Sequence, residues 1–119
     1  MSAQTITRRL TQADLAKLYQ AGEKVVMFTC YDASFARLLD GAGVETLLIG
    51  DSLGNVIQGH DTTLPVTVTD IAYHTAAVKR GCDRPFIIAD MPFGSYQESP
   101  EQAFRNAVTL MAAGAQMVK

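Results

Sequence analysis

The chain has 119 residues and a mass of 12.8 kDa, the length of one domain at most. Hydrophobic residues make up 48% and charged residues 18%, which is typical of a globular protein. The formal net charge is −2, which argues against nucleic-acid or anionic-membrane binding. A membrane span needs about 18 consecutive apolar residues, and no apolar run in the sequence approaches that length. Residues 1–10 contain no signal-like stretch, and the two cysteines form no motif, so we expect a cytoplasmic protein.

The N-terminal third predicts a helix, a strand and a second helix. Thr11 and Asp14 match a capping box that begins the first helix. Residues 25–30 (VVMFTC) are continuously apolar, which is typical of a strand covered on both faces. Asp32 is expected to cap the second helix. The predicted apolar stripes are Leu15, Leu18 and Tyr19 on the first helix, and Phe35, Leu38, Leu39 and Ala42 on the second.

The middle third predicts another strand and helix, separated by a long loop. Residues 46–50 (TLLIG) form the second apolar run, and a helix is predicted over about residues 70–80, ending at Gly81. Between them, residues 51–68 carry no regular pattern. Loops of this length in compact domains are usually functional.

The last third repeats the alternation of strand and helix. Residues 86–90 (FIIAD) predict a strand, Ser99 an N-cap with Pro100 at the first helical position and Gln102 closing a capping box, and residues 115–119 (AQMVK) a fourth strand. The predicted stripe of this helix is Phe104, Ala107, Val108 and Met111. Strands that alternate with helices predict an α/β fold with a parallel sheet.

Polar side chains stand at the carboxyl ends of the four predicted strands. They are Tyr31, Asp32, Asp51, Ser52, Asp90 and Lys119. Because these ends share one edge of a parallel sheet, Asp51, Asp90 and Lys119 are expected to meet there. Two adjacent carboxylates repel each other, and Mg²⁺, which prefers oxygen ligands, relieves that repulsion. A lysine beside them can neutralise a substrate carboxylate or a developing enolate.

Structural roles compete with this interpretation. An aspartate after a strand often caps the following helix, and this is the role expected for Asp32. For Asp51 and Asp90 the pattern leaves a structural role, as a helix cap or a solvated side chain, and metal binding equally open. His60 and His74 are too far apart for a local metal motif, and a structural role is expected for each.

The strand-end residues lie within motifs that resemble ketopantoate hydroxymethyltransferases (3-methyl-2-oxobutanoate hydroxymethyltransferases). The resemblance is carried by IGDSLGNVIQGHDTTLPVTVTDIAYHTAAVKRG at residues 49–81, TCYDASFA at residues 29–36, ADMPFGSY at residues 89–96 and SPEQAFRNAVTLMAAGAQMVK at residues 99–119. It covers nearly the whole chain beyond about Thr5, and its longest motif is highly specific.

The resemblance implies a cytosolic homo-oligomer, commonly a decamer, built on a (β/α)₈ TIM barrel. Such barrels have about 250 residues, so residues 1–119 are expected to form the N-terminal half of one barrel domain, with no internal boundary. The implied reaction transfers a hydroxymethyl group from 5,10-methylenetetrahydrofolate to 3-methyl-2-oxobutanoate, giving 2-dehydropantoate. This is the first committed step towards pantothenate and coenzyme A.

The family's functional residues map onto the strand ends. By resemblance, Asp51 and Asp90 bind Mg²⁺, and Asp51, Ser52, Asp90 and Lys119 contact the keto acid. The keto acid can chelate the metal, which then stabilises the enolate. The family's third metal-associated glutamate and its glutamate base lie beyond Lys119, so residues 1–119 alone are expected to be inactive.

Two other functions fit parts of the pattern. A receiver-like signalling domain would have a flavodoxin-like fold with Asp51 as phosphoacceptor, although Cys30, Tyr31 and Asp32 do not supply its acidic pair. A non-catalytic assembly piece would use only the half-barrel interface.

Overall fold

The computed structural model describes residues 6–119. Residues 1–5 lie outside this description, and so does that part of the prediction that residues 1–10 contain no signal-like stretch. Four parallel strands lie in the order β1-β2-β3-β4, which confirms the α/β fold class. In chain order the elements are α1 (Gln12–Gln20), β1 (Met27–Thr29), α2 (Ala33–Gly41), β2 (Thr46–Ile49), α3 (Leu53–Val56), α4 (Val68–Gly81), β3 (Phe86–Ala89), α5 (Pro100–Ala113) and β4 (Met117–Val118).

The strand order separates a barrel from the flavodoxin-like alternative. A flavodoxin-like sheet has the order 2-1-3-4-5, which places the first strand inside the sheet. Here β1 pairs with β2 and lies at one edge of the sheet, and β2, β3 and β4 follow in sequence order. Sequential parallel strands are the arrangement of a β/α barrel, so the fold of the receiver-like hypothesis is wrong.

The two faces of the sheet are covered by different helices. Helices α2, α4 and α5 pack on one face of the sheet. Their residues Ala36, Ile71 and Leu110 are fully buried there against the side chains of β2 and β3 that point towards these helices. On the other face, Leu10 and Leu18 of the α1 region pack against a second buried cluster that contains Phe86 and Ile88. The α1 region therefore covers part of the face that points into the interior of a barrel.

Burial differs between the central and the edge strands. All four residues of β3 and three of the four residues of β2 are buried, as their apolar runs predict. The prediction that residues 25–30 are buried is confirmed for Cys30 only, because all three residues of β1 and the two valines before it are exposed. Among the described residues β1 pairs on one side only and no helix covers Met27 or Phe28.

The helix caps are mostly confirmed. The Thr11–Asp14 capping box begins α1, and Asp32 caps α2 by accepting the Phe35 N–H at 2.7 Å. Helix α4 begins earlier than predicted, at a capping box of Thr67 and Asp70. Ser99 caps α5, but the Gln102 side chain accepts the N–H of Glu98 instead of the Ser99 N–H, so the predicted box is not closed.

The predicted apolar stripe of α1 is confirmed at Leu18, which is buried, and at Leu15, which packs against the core, whereas the stripes of α2 and α5 are largely wrong. Tyr19, Phe35, Leu38, Phe104, Val108 and Met111 are all exposed. In α2 the buried position is Ala36, next to the close crossing with α4 at Gly81. A Cβ at Gly81 would lie 2.3 Å from the Ala33 carbonyl oxygen, so only glycine permits this crossing.

Residues 51–68, predicted to be irregular, contain the short helix α3. Within residues 6–119, no helix has the length and apolar character needed to cross a membrane.

Candidate active site at the carboxyl edge of the sheet

Backbone hydrogen bonds continue past the strand ends and hold the polar residues side by side. The Asp90 N–H donates to the Ile49 carbonyl at 2.9 Å, and the Lys119 N–H donates to the Ala89 carbonyl at 2.9 Å. The Met91 N–H in turn donates to the Lys119 carbonyl at 2.8 Å. The register of β2, β3 and β4 therefore fixes where Asp90 and Lys119 project.

Asp90 is the centre of the cluster. Its side chain is buried, and Oδ2 accepts the backbone N–H of Asp51 at 2.9 Å. The second oxygen, Oδ1, lies 2.7 Å from the Lys119 ammonium, and it accepts no aligned hydrogen bond within residues 6–119. Since Ser99 caps α5, Asp90 is not a helix cap, and the capping alternative is wrong for this residue.

Lys119 is held as a cation. Its contact with Asp90 raises the pKa of the Lys119 ammonium above its ordinary value, and Asp51 and Tyr96 add smaller electrostatic contributions. The side chain is 64% exposed, so the charge stands at the open side of the cluster. Tyr96 was missed from the sequence, although its place in the loop after β3 is a signal for residues near the site.

Asp51 and Ser52 follow β2, and neither side chain caps a helix. The Asp51 side chain makes no hydrogen bond or ion pair within the described part of the chain, which removes the capping alternative here also. Ser52 directly precedes α3 but makes no capping hydrogen bond. Its Oγ instead lies 2.5 Å from the Tyr31 hydroxyl, at the end of β1. The sequence placed Tyr31 at a strand end but gave it no role.

Gly50 leaves space for this arrangement. A Cβ at this position would lie 3.2 Å from Ser52 Oγ and 3.5 Å from Asp90 Oδ2. The first distance is tight and the second is an ordinary van der Waals contact, so a side chain at this position would press on the Ser52 hydroxyl.

The remaining sequence candidates have structural contacts. Asp32 caps α2 as predicted. The His74 Nδ1 lies 2.7 Å from the Tyr31 carbonyl and the ring packs edge-on against Tyr73, which supports the predicted structural role. His60 is exposed in the loop before α4, away from the strand-end cluster in sequence, and its backbone closes a turn with Gly54.

The oxygen atoms at this edge suit a hard cation, but they are too few to complete its coordination by themselves. Two carboxylates and a hydroxyl supply only oxygen, and the buried Asp90 Oδ1 has no aligned donor of its own. These features fit Mg²⁺, which binds few protein carboxylates and keeps several water or substrate ligands. No group of three His, Cys, Asp or Glu side chains poised for a metal occurs among residues 6–119.

A concavity of about 470 Å³ lies elsewhere, at the opposite edge of the sheet. It is lined by residues that precede β2 and β3, including Asp40, Gly43 and Arg84. Ligands of β/α barrels bind at the carboxyl ends of the strands. We therefore place the candidate site at the strand-end cluster.

The sequential parallel sheet, with its helices between the strands, places the chain in the β/α-barrel fold class. Solved structures agree: 2,3-dimethylmalate lyase, of the PEP mutase/isocitrate lyase superfamily, matches with a TM-score of 0.63 at 18% identity, covering 99% of this chain and 39% of that one. Oxaloacetate acetylhydrolase matches with a TM-score of 0.61 at 15% identity, covering 91% of this chain and 39% of that one.

The sequence comparisons identify the family within that class. The ketopantoate hydroxymethyltransferase family model matches residues 9–119, and the chain belongs to this family. It is 90% identical to a Dechloromonas aromatica protein named 3-methyl-2-oxobutanoate hydroxymethyltransferase, over all of this chain and 44% of that protein. An Azoarcus protein of the same name is 64% identical over 92% of this chain. The chain thus spans under half the length of these relatives.

Proposed function

We propose that this chain supplies the keto-acid and metal half of a hydroxymethyltransferase. The reaction transfers a hydroxymethyl group from 5,10-methylenetetrahydrofolate to 3-methyl-2-oxobutanoate and gives 2-dehydropantoate. The observation that carries the proposal is the cluster of Asp51, Ser52, Asp90 and Lys119 at one sheet edge, in a chain of this family.

Asp51 and Asp90 are the proposed Mg²⁺ ligands. The contact from the Asp51 N–H to Asp90 Oδ2 fixes the Asp90 carboxylate and leaves Oδ1 aimed at the cluster. When bound, Mg²⁺ supplies Lewis-acid polarisation of the keto group and stabilises enolate charge.

Ser52 and Lys119 are the proposed contacts of the keto acid. A carboxylate only accepts hydrogen bonds, so it needs donors, and the hydroxyl and ammonium provide them. Lys119 already faces Asp90 at 2.7 Å, so its positive charge stands beside the metal ligands. Charge-assisted bonds of this kind are about twice as strong as neutral ones.

Proton removal from C3 is assigned to a different part of the enzyme. By resemblance, the glutamate base and the third metal-associated glutamate lie beyond Lys119. Residues 1–119 would therefore bind and orient the keto acid and would not turn it over alone.

Assembly and location complete the proposal. We propose a cytoplasmic homo-oligomer, with a decamer as the expected form. Exposed apolar side chains on the outer helices, such as Phe35, Leu38 and Phe104, are available for contacts between subunits. Cys30 and Cys82 are free and buried, and burial raises the pKa of both thiols, to about 11 for Cys30.

The test is a chimera in which these residues replace their counterparts in the Dechloromonas aromatica relative. With both substrates and Mg²⁺ we expect 2-dehydropantoate at a rate close to that of the intact relative, and we expect EDTA to abolish it. A folded, assembled chimera without turnover would contradict the proposal and would favour the non-catalytic assembly alternative.

A further inference from the structure

The Tyr31 hydroxyl bridges two strand ends at the candidate site. Tyr31 follows β1, directly after the Cys30 N–H that donates to the Leu48 carbonyl at 3.0 Å. Its side chain reaches across to the end of β2, where the hydroxyl lies 2.5 Å from Ser52 Oγ. Both residues are half-buried, so this contact is partly shielded from water.

We propose that Tyr31 is a positioning residue whose hydroxyl aims the Ser52 hydroxyl at the carboxylate of the keto acid. The inference rests on the proposed function, because it takes Ser52 as a contact of that substrate. It assigns Tyr31 no contact with the reacting atoms.

The inference takes Tyr31 as the donor of this hydrogen bond. Both hydroxyls can donate and accept, and the phenol is the stronger donor of the two. When Tyr31 donates to Ser52 Oγ, the serine proton is left free. Ser52 can then donate that proton to an anion, which itself offers only acceptor oxygens.

The serine needs such a partner because nothing else within the described residues fixes its rotamer. A serine before a helix normally accepts a backbone N–H of the first turn, but Ser52 makes no capping hydrogen bond. Without Tyr31 its hydroxyl would sample its staggered rotamers. Holding one rotamer in advance lowers the cost of binding.

Tyr31 is itself anchored from α4. His74 Nδ1 lies 2.7 Å from the Tyr31 carbonyl, and since a carbonyl only accepts, Nδ1 carries the proton. The histidine ring packs edge-on against Tyr73, with ring centroids 5.3 Å apart. The chain of contacts thus runs from α4 through the end of β1 to the end of β2.

Tyr31→Phe in the chimera removes only the hydroxyl. We expect KM for 3-methyl-2-oxobutanoate to rise about fivefold to tenfold, the effect of one lost hydrogen bond, with kcat within about twofold. Tyr19→Phe, at an exposed tyrosine of α1, is the matched control and should change neither constant.

The double variant distinguishes positioning from a structural role. Ser52→Ala should raise KM about tenfold or more, because it removes a bond to a charged group. If Tyr31 acts through Ser52, adding Tyr31→Phe to Ser52→Ala should change KM by less than about twofold. An unchanged KM in Tyr31→Phe, or its full effect persisting in the Ser52→Ala background, would overturn the inference.

The same series separates this inference from the proposed function. An inactive parent chimera, or a Ser52→Ala variant with unchanged KM, would overturn the assignment of Ser52 as a substrate contact, and the inference with it. A raised KM in Ser52→Ala beside an unchanged Tyr31→Phe would overturn only the role of Tyr31.

Discussion

The two edges of the sheet use charged residues in opposite ways. At the amino edge, the Asp14 carboxylate accepts two hydrogen bonds from Arg8 and others from the Thr11 backbone and hydroxyl. The Arg9 guanidinium likewise donates to the carbonyls of Cys82 and Pro85, at 2.7 and 2.9 Å. At the carboxyl edge, Asp90 Oδ1 faces only the Lys119 ammonium, and the Asp51 carboxylate makes no hydrogen bond or ion pair within residues 6–119.

The contrast separates carboxylates whose hydrogen bonds are made within the fold from carboxylates that remain open to a ligand. The Asp14 carboxylate, which is saturated by Arg8 and Thr11, stabilises the start of α1. At the carboxyl edge, the buried Asp90 Oδ1 has the Lys119 ammonium beside it but no aligned hydrogen bond, and a buried polar atom without one costs stability unless a ligand satisfies it. The hydrogen bonds of the amino edge therefore maintain the fold, and the carboxyl edge is the edge that we propose for ligand binding.

The largest expected effect comes from removing a strand-end carboxylate charge. Asp51→Asn or Asp90→Asn in the chimera should cut Mg²⁺-dependent turnover by about 100-fold or more, because a metal ligand and part of its charge are lost. Asp14→Asn is the matched variant at the amino edge and should keep turnover within about twofold. An equal loss of turnover in Asp14→Asn and in the two strand-end variants would contradict the difference between the two edges.

Lys119 should show a smaller effect. Lys119→Ala is expected to raise KM for the keto acid about tenfold to 100-fold and to lower kcat, since a charge-assisted bond is lost. Lys119→Arg should recover little, because the guanidinium fork is larger and is aimed differently. Unchanged constants in Lys119→Ala would make this residue structural.

The smallest effect concerns stability at the amino edge. The hydrogen bonds from Arg8, and then that from the Thr11 backbone, hold the pKa of Asp14 well below its ordinary value. Asp14→Ala should lower the free energy of unfolding by about 1 kcal/mol at pH 7, as the loss of a helix cap does.

The depressed pKa of Asp14 determines how its contribution to the free energy of unfolding changes with pH. Because the folded pKa of Asp14 is depressed, its stabilisation is present above the unfolded pKa of about 3.9 and is lost as the pH falls further. Urea unfolding midpoints of the chimera and of Asp14→Ala should therefore converge in acid. Asp61→Ala, at an exposed loop aspartate, should shift the midpoint at no pH. A gap between the chimera and Asp14→Ala that persists undiminished in acid would contradict the role of the charge.

Much of the fold was readable because short-range rules decide it. The caps at Thr11 and Asp32 and the buried runs of β2 and β3 depend on local pattern and on central position in the sheet. The exposure of β1 and of Phe104 was not readable, because an apolar run does not reveal which face a neighbouring element covers.

The site was predictable in part for a related reason. Parallel topology brings strand ends to one edge, so Asp90 and Lys119 were expected to meet, and they do. The contact between Tyr31 and Ser52 depends on side-chain reach across two strands, which sequence spacing does not encode.

The most direct test of the account is the binding of Mn²⁺, an oxygen-preferring substitute for Mg²⁺, titrated by electron paramagnetic resonance in the chimera. We predict one site per chain, weakened at least about tenfold by Asp51→Asn and by Asp90→Asn and left unchanged by Asp14→Asn, with all variants matching the parent in circular dichroism. Equal Mn²⁺ affinity in the parent and in both strand-end variants would contradict the central claim that the carboxyl edge holds the metal.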